Sequence, residues 1–113
     1  MIYPADLRLD RSDKRMIVRL SGEIDLSNAG QVKRTIAESN SNHVMELVID
    51  LGEVQYLNSA GIAMLFDLAR GLGEHEQCLT VVVPSTSLIR RSLQASGWPL
   101  KFPMVESLDE LAE

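Results

Sequence analysis

Four small residues in succession, Asn58, Ser59, Ala60 and Gly61, stand in the stretch YLNSAGIAML between an apolar run and an amphipathic segment. Small side chains allow close approach to the backbone, and a lone hydroxyl at such a junction has three chemical uses. It can cap a helix, act as a nucleophile or receive a phosphate. A nucleophile elbow needs Gly-x-Ser-x-Gly after a strand, and LNSAG puts Leu57 where the first glycine belongs. The available bases are badly placed as well. His43 falls at the start of an expected strand, the opposite end from Ser59, and His75 falls in a polar loop past the following helix. This spacing argues against a Ser-His-acid triad. Neither histidine has a neighbour at ligand spacing, so no metal site is expected and both read as solvated loop residues. GLGEHE follows a helix and lacks the third glycine of a phosphate-binding loop, which makes it a helix terminus.

Ser59 therefore remains a helix cap or a modification site, and the two are compatible. A hydroxyl at a helix N-terminus is expected beside unsatisfied N–H groups and the positive end of the dipole. A phosphate of about −1.5 to −2 charge is tolerated by the fold in that position. Ala60 and Gly61 leave the hydroxyl open to an incoming active site.

The elements that position this junction follow from hydrophobic periodicity. Leu7, Leu9, Met16, Val18 and Leu20 alternate with polar residues, which predicts two half-buried strands around the turn DRSDK. Gly22 allows an unusual backbone angle before Ile24 returns to the apolar side. From Ser27 the period becomes helical. Ala29, Val32, Ile36 and Ala37 share one face, Ser27 or Asn28 can cap it, and SNSNH ends it. VMELVIDL reads as a buried central strand. A second helix starts at the small-residue junction, with Ile62, Leu65, Phe66, Ala69 and Leu72 inward and Gly71 and Gly73 at its end. CLTVVVP is a further buried strand, and a third helix runs from about Ser85 to Ser96 with Leu88, Ile89 and Leu93 inward. PLKFP is an expected short edge strand and ESLDELAE a short acidic terminal helix. The order β-β-α-β-α-β-α-β-α implies a largely parallel sheet with helices packed on it. Functional groups in such sheets gather where strands run into helices, at GEIDLSN and YLNSAGI.

Composition narrows the partners. The chain has 113 residues, 45% hydrophobic and 24% charged, which suits one globular domain. A net charge of −5, with the two arginines of Arg90-Arg91 too weak a footprint, argues against nucleic-acid binding. The single cysteine, Cys78, allows no internal disulfide, suits a reducing compartment and is expected to be a buried strand thiol. MIYPADLRLD lacks the basic start and apolar core of a secretory leader. The apolar runs fall far short of the roughly 20 residues that cross a bilayer. A cytoplasmic location is expected, with no membrane insertion.

Three segments, LSGEIDLSNAGQV, LVIDLGEVQYLNSAGIAMLFDLAR and LTVVVPSTSLIRRSLQASG, resemble a STAS domain of the anti-sigma-factor antagonist type. The resemblance covers nearly the whole chain. It implies a single STAS-like α/β domain over residues 1–113, with a mixed, mostly parallel sheet of about five strands and about four helices. It further implies that the motif serine is phosphorylated by a partner that is both anti-sigma factor and serine kinase. The unphosphorylated form binds that partner and frees a sigma factor, and a serine/threonine phosphatase resets the cycle. No catalytic residue, metal or cofactor is implied.

Carried over, the acceptor is Ser59 and the neighbouring acid is Asp25 of GEID. The implied partner surface takes in Asp25, Asn58, Ser59, Ala60, Gly61 and Ile62. Met64 and Leu68, off the main stripe of the second helix, join it as exposed contacts unless the core stripe is broad. Asn58 replaces the usual aspartate and Ala60 a common second hydroxyl. The alternative within the family is a domain that is never phosphorylated, either a subunit bracing the ATPase of a lipid-transport ABC system or a scaffold module. Asn58 favours that alternative; Ser59 and the GEID acid favour the antagonist.

Overall fold

The computed structural model describes residues 6–11, 14–40, 44–98 and 103–111. Two strands open the chain, β1 (Asp6–Arg11) and β2 (Arg15–Ile24), followed by α1 (Ala29–Ser39), β3 (Glu46–Leu57) and α2 (Ser59–Gly73). Then come β4 (Cys78–Val82), α3 (Leu88–Ala95), β5 (Met104–Val105) and a 3₁₀ turn at Leu108–Glu110. One five-stranded sheet results, in the order β1-β2-β3-β4-β5. The β1–β2 pair is antiparallel and the other pairs are parallel. This is the expected mixed α/β architecture, with a 3₁₀ turn where a fourth helix was anticipated.

The topology has a simple physical consequence. Each strand-helix-strand unit steps one place across the sheet in the same direction. Crossovers of a single hand then stack every helix on the same face. The core agrees: Met16, Val18 and Leu20 of β2, Leu47, Ile49 and Leu51 of β3, and Leu79 and Val81 of β4 form one cluster with Val32, Ile36, Leu65, Ile89 and Leu93 from the three helices. Alternate residues point the other way, as the two-residue strand period requires. There Arg15 Nε donates to Glu46 Oε1 at 2.7 Å, and Thr80 Oγ1 donates to Glu46 Oε2 at 2.8 Å.

Several boundaries differ from the periodicity. β3 continues past the apolar run through Gly52 to Leu57, because β2 continues beside it and register shifts at Arg19/Ser21 and Gly22/Glu23 absorb the mismatch. Gly22 carries this with φ 90°. Leu9 pairs with Val18 yet is largely exposed, as its place on an edge strand allows. Ala37 is exposed, outside the narrow buried line of Ala29, Val32 and Ile36. Leu88 also faces outward, at the first turn of α3. Cys78 is exposed, not buried: it is the first residue of β4, ahead of the covered part of the strand. Burial of the surroundings and the Glu46 carboxylate nonetheless push its thiol pKa up. The edge strand β5 begins just beyond Pro103, whose carbonyl accepts from Val81 N–H at 3.2 Å. His75 is exposed in the turn after α2, whereas His43 and most of PLKFP lie outside the described residues.

Candidate functional site

β2 and β3 end side by side, with Ile24 opposite Leu57. The chain leaves them into the β2–α1 loop and directly into α2, so the two junctions marked by the sequence are neighbours. Asn58 N–H donates to Ile24 C=O at 3.2 Å and ties one to the other. Asp25, Leu26, Ser27, Tyr56 and Asn58 line a single open depression of about 460 Å³. Ser59 follows Asn58 in the chain as the first residue of α2.

The cap of α2 is Asn58, not Ser59. Asn58 holds an extended backbone, and its Oδ1 accepts from Ala60 N–H at 2.9 Å and Gly61 N–H at 3.2 Å. Its own carbonyl accepts from Ile62 N–H. An amide oxygen thus does the capping that an aspartate would do, without the charge. The reading of Ser59 as the cap, beside free N–H groups, is corrected accordingly. Ser59 is the first helical residue and is exposed, and no hydrogen bond joins its hydroxyl to another described residue.

Gly61 faces inward. A Cβ there would overlap Leu57 Cδ1 and press Ile24 Cγ2 at 3.1 Å, so the small residue lets α2 approach the strand ends and not an outside molecule. Met64 and Leu68 are buried too, which overturns their expected exposure. The reason is the position of α2 in the middle of the helical layer. It packs on β3 and β4, meets α1 on one side, and stacks Phe66 edge-on against Trp98, after α3, at 4.9 Å. A helix flanked on both sides needs a broad apolar stripe. Ala60 and Ile62 are partly exposed.

Asp25 is held from several directions. Its Oδ1 accepts from Ser27 N–H at 2.8 Å and Ser27 Oγ at 2.5 Å. Its carbonyl accepts from the N–H groups of Asn28 and Ala29, and its own N–H donates to Asn28 Oδ1 at 3.0 Å. The Ser27 hydroxyl contributes most to holding the Asp25 carboxyl below the usual aspartate range, followed by the Ser27 N–H. The carboxylate is therefore charged at neutral pH. Two residues beside it carried no signal in the sequence reading. Leu26 is 83% exposed and Tyr56 50% exposed, and both lie on the depression. Leu26 continues the apolar alternation of β2 two residues past Ile24, where the strand has already ended, so the sequence pattern marked it as inward.

No group of His, Cys, Asp and Glu suited to a metal ion occurs among the described residues, and none of their helices is long and apolar enough to cross a membrane. The arrangement does suit a surface that another protein reads. It presents an exposed hydroxyl, a fixed carboxylate and two exposed apolar side chains around one shallow hollow.

Comparison with known proteins bears on this arrangement. A family model described as Mlab, STAS domain matches residues 7–102. RsfB of Mycobacterium tuberculosis, named an anti-sigma-F factor antagonist, is 29% identical over 94 residues, 83% of this chain and 75% of that protein. The crystal structure of an anti-sigma factor antagonist from Mycobacterium paratuberculosis has a TM-score of 0.79 at 27% identity, covering 97% of this chain and 94% of that one. Unphosphorylated SpoIIAA, at 18% identity, shares the fold with a TM-score of 0.71 over 93% of this chain and 92% of its own. With the family match spanning most of the residues and the fold in agreement, this chain belongs to the STAS domain family.

Proposed function

We propose that this protein is an anti-sigma factor antagonist that works by partner switching, with Ser59 as the phosphorylated residue. The carrying observation is the exposed Ser59 at the start of α2, directly after Asn58, which lines a hollow together with Asp25. In its unmodified form the protein binds an anti-sigma factor that is also a serine kinase, through Asp25, Leu26, Tyr56, Asn58, Ser59, Ala60 and Ile62. Met64, Leu68 and Gly61 serve the core instead. The protein acts in the cytoplasm as a regulator and not as an enzyme, and a serine/threonine phosphatase restores it.

The physical basis is charge. Asn58 already occupies the Ala60 and Gly61 N–H groups, so a phosphate on Ser59 is not drawn into the helix end and projects into the contact surface. Burying it there, beside an ionised Asp25, costs several kcal/mol. Each ~1.4 kcal/mol is tenfold in affinity, so one phosphate is enough to release the partner. The test is intact mass after incubation with ATP and a candidate anti-sigma factor kinase from the same organism. A phosphate on the wild type and none on Ser59→Ala supports the assignment, and equal phosphorylation of both refutes it. Ser59→Ala should bind the partner constitutively and Ser59→Asp weakly.

A second reading is favoured by Asn58 and by the description of the matching family model, Mlab, STAS domain. In it the same α2 face braces a transporter ATPase and is never phosphorylated. Co-purification with transporter subunits, with no mass shift under any candidate kinase, would select it.

A further inference from the structure

We propose that Asn28 is the positioning residue of this site: a buried amide that fixes the backbone of Asp25 at the strand end tied to the start of α2, and so keeps this acid on the hollow it shares with Asn58. This rests on the reading of Ser59 as the switch residue. Asn28 is only 6% exposed, one of few buried polar side chains. It occupies the N-cap position of α1 yet makes no side-chain cap bond to that helix. Its amide turns back instead. Oδ1 accepts from Asp25 N–H at 3.0 Å, and Nδ2 donates to Glu23 C=O at 2.8 Å.

A buried amide is tolerated when both of its ends are satisfied. Here both bonds go to the strand end that carries Asp25, and none to the helix that Asn28 precedes. Between the two bonded residues, Ile24 C=O receives Asn58 N–H. The same three-residue segment is thus fastened to α1 through Asn28 and to the start of α2 through Asn58. With its N–H and carbonyl both engaged, the Asp25 backbone is held in place, and the Ser27 N–H and hydroxyl orient the carboxylate that it carries.

Two partner-free readouts test this. In Asn28→Ala, amide hydrogen exchange at Asp25 should quicken about tenfold, while Val32 and Ile36 of α1 and Ile49 of β3 keep their protection. Asn28→Asp retains the acceptor for Asp25 N–H and should restore part of that protection. Second, Ser59→Glu should raise the Asp25 carboxyl midpoint, followed by ¹³C NMR, and adding Asn28→Ala should reduce the rise by half or more. Unchanged exchange at Asp25, a uniform loss of protection across α1 and β3, or an undiminished rise in the double variant would each overturn the positioning role. Failure of Ser59 phosphorylation is seen separately, in the mass experiment, and would remove the switch while these two readouts still report on Asn28.

Discussion

Single side chains at the strand ends carry the sharpest consequences. Gly61→Ala adds one methyl group, which must displace Leu57 and Ile24 at the point where α2 meets the sheet. Overpacking of this kind costs about 1–3 kcal/mol, so urea denaturation should show that loss with no change in slope. Asp25 gives a pH prediction. Its folded pKa lies below its unfolded value, so its stabilising contribution is present at neutral pH and fades as the pH falls through the folded value. Ser27→Ala removes the largest cause, and the Asp25 titration followed by NMR should move up toward the ordinary aspartate range. Much of this chemistry was legible in the residues themselves: the lone hydroxyl, its acidic neighbour and the small-residue junction stand where the sequence placed them. The division of labour between Asn58 and Ser59 was not legible, because either side chain can cap a helix. Only the extended backbone at Asn58 decides which one does.

Among the elements, α2 shows where periodicity informs and where it stops. Its start at Ser59 and its end at Gly73 follow from the junction and the paired glycines. The width of its buried stripe does not, because that depends on how many neighbours flank the helix. Met64 and Leu68 look spare on a helix lying at the edge of a layer and are core on one lying in the middle. The turn after α2 offers a separate test. Glu76 adopts φ 60°, while Gln77 N–H reaches back to Leu72 C=O at 2.9 Å and Glu76 N–H to Gly73 C=O at 3.2 Å. A left-handed residue in such a helix-ending turn is usually glycine. Glu76→Gly should therefore raise stability by about 0.5–1 kcal/mol, visible as a higher melting temperature.

Across the whole molecule, side-chain ties secure both ends of the sheet, and the proposed switch residues lie at one of them. The entry ends of the strands hold the Arg15–Glu46–Thr80 row and a buried amide pair, with Gln77 Nε2 donating to Val44 C=O at 2.6 Å and Asn40 Nδ2 donating to Gln77 Oε1 at 3.0 Å. The exit ends hold Asp25 and Ser59. Gln77→Ala should cost about 1–3 kcal/mol in denaturation experiments by stranding buried partners. Ser59→Glu, at an exposed helix start, should shift stability by less than about 0.5 kcal/mol. The strand order β1 to β5, read without a reversal, has one more consequence. Doubly wound sheets split their loops to either side where the strand order turns back, and that split opens the crevice in which nucleotides lodge. A sheet that only ever advances keeps its loops on one side and ends in a ledge. A ledge is poor at enclosing a metabolite and well shaped to be pressed flat against another macromolecule.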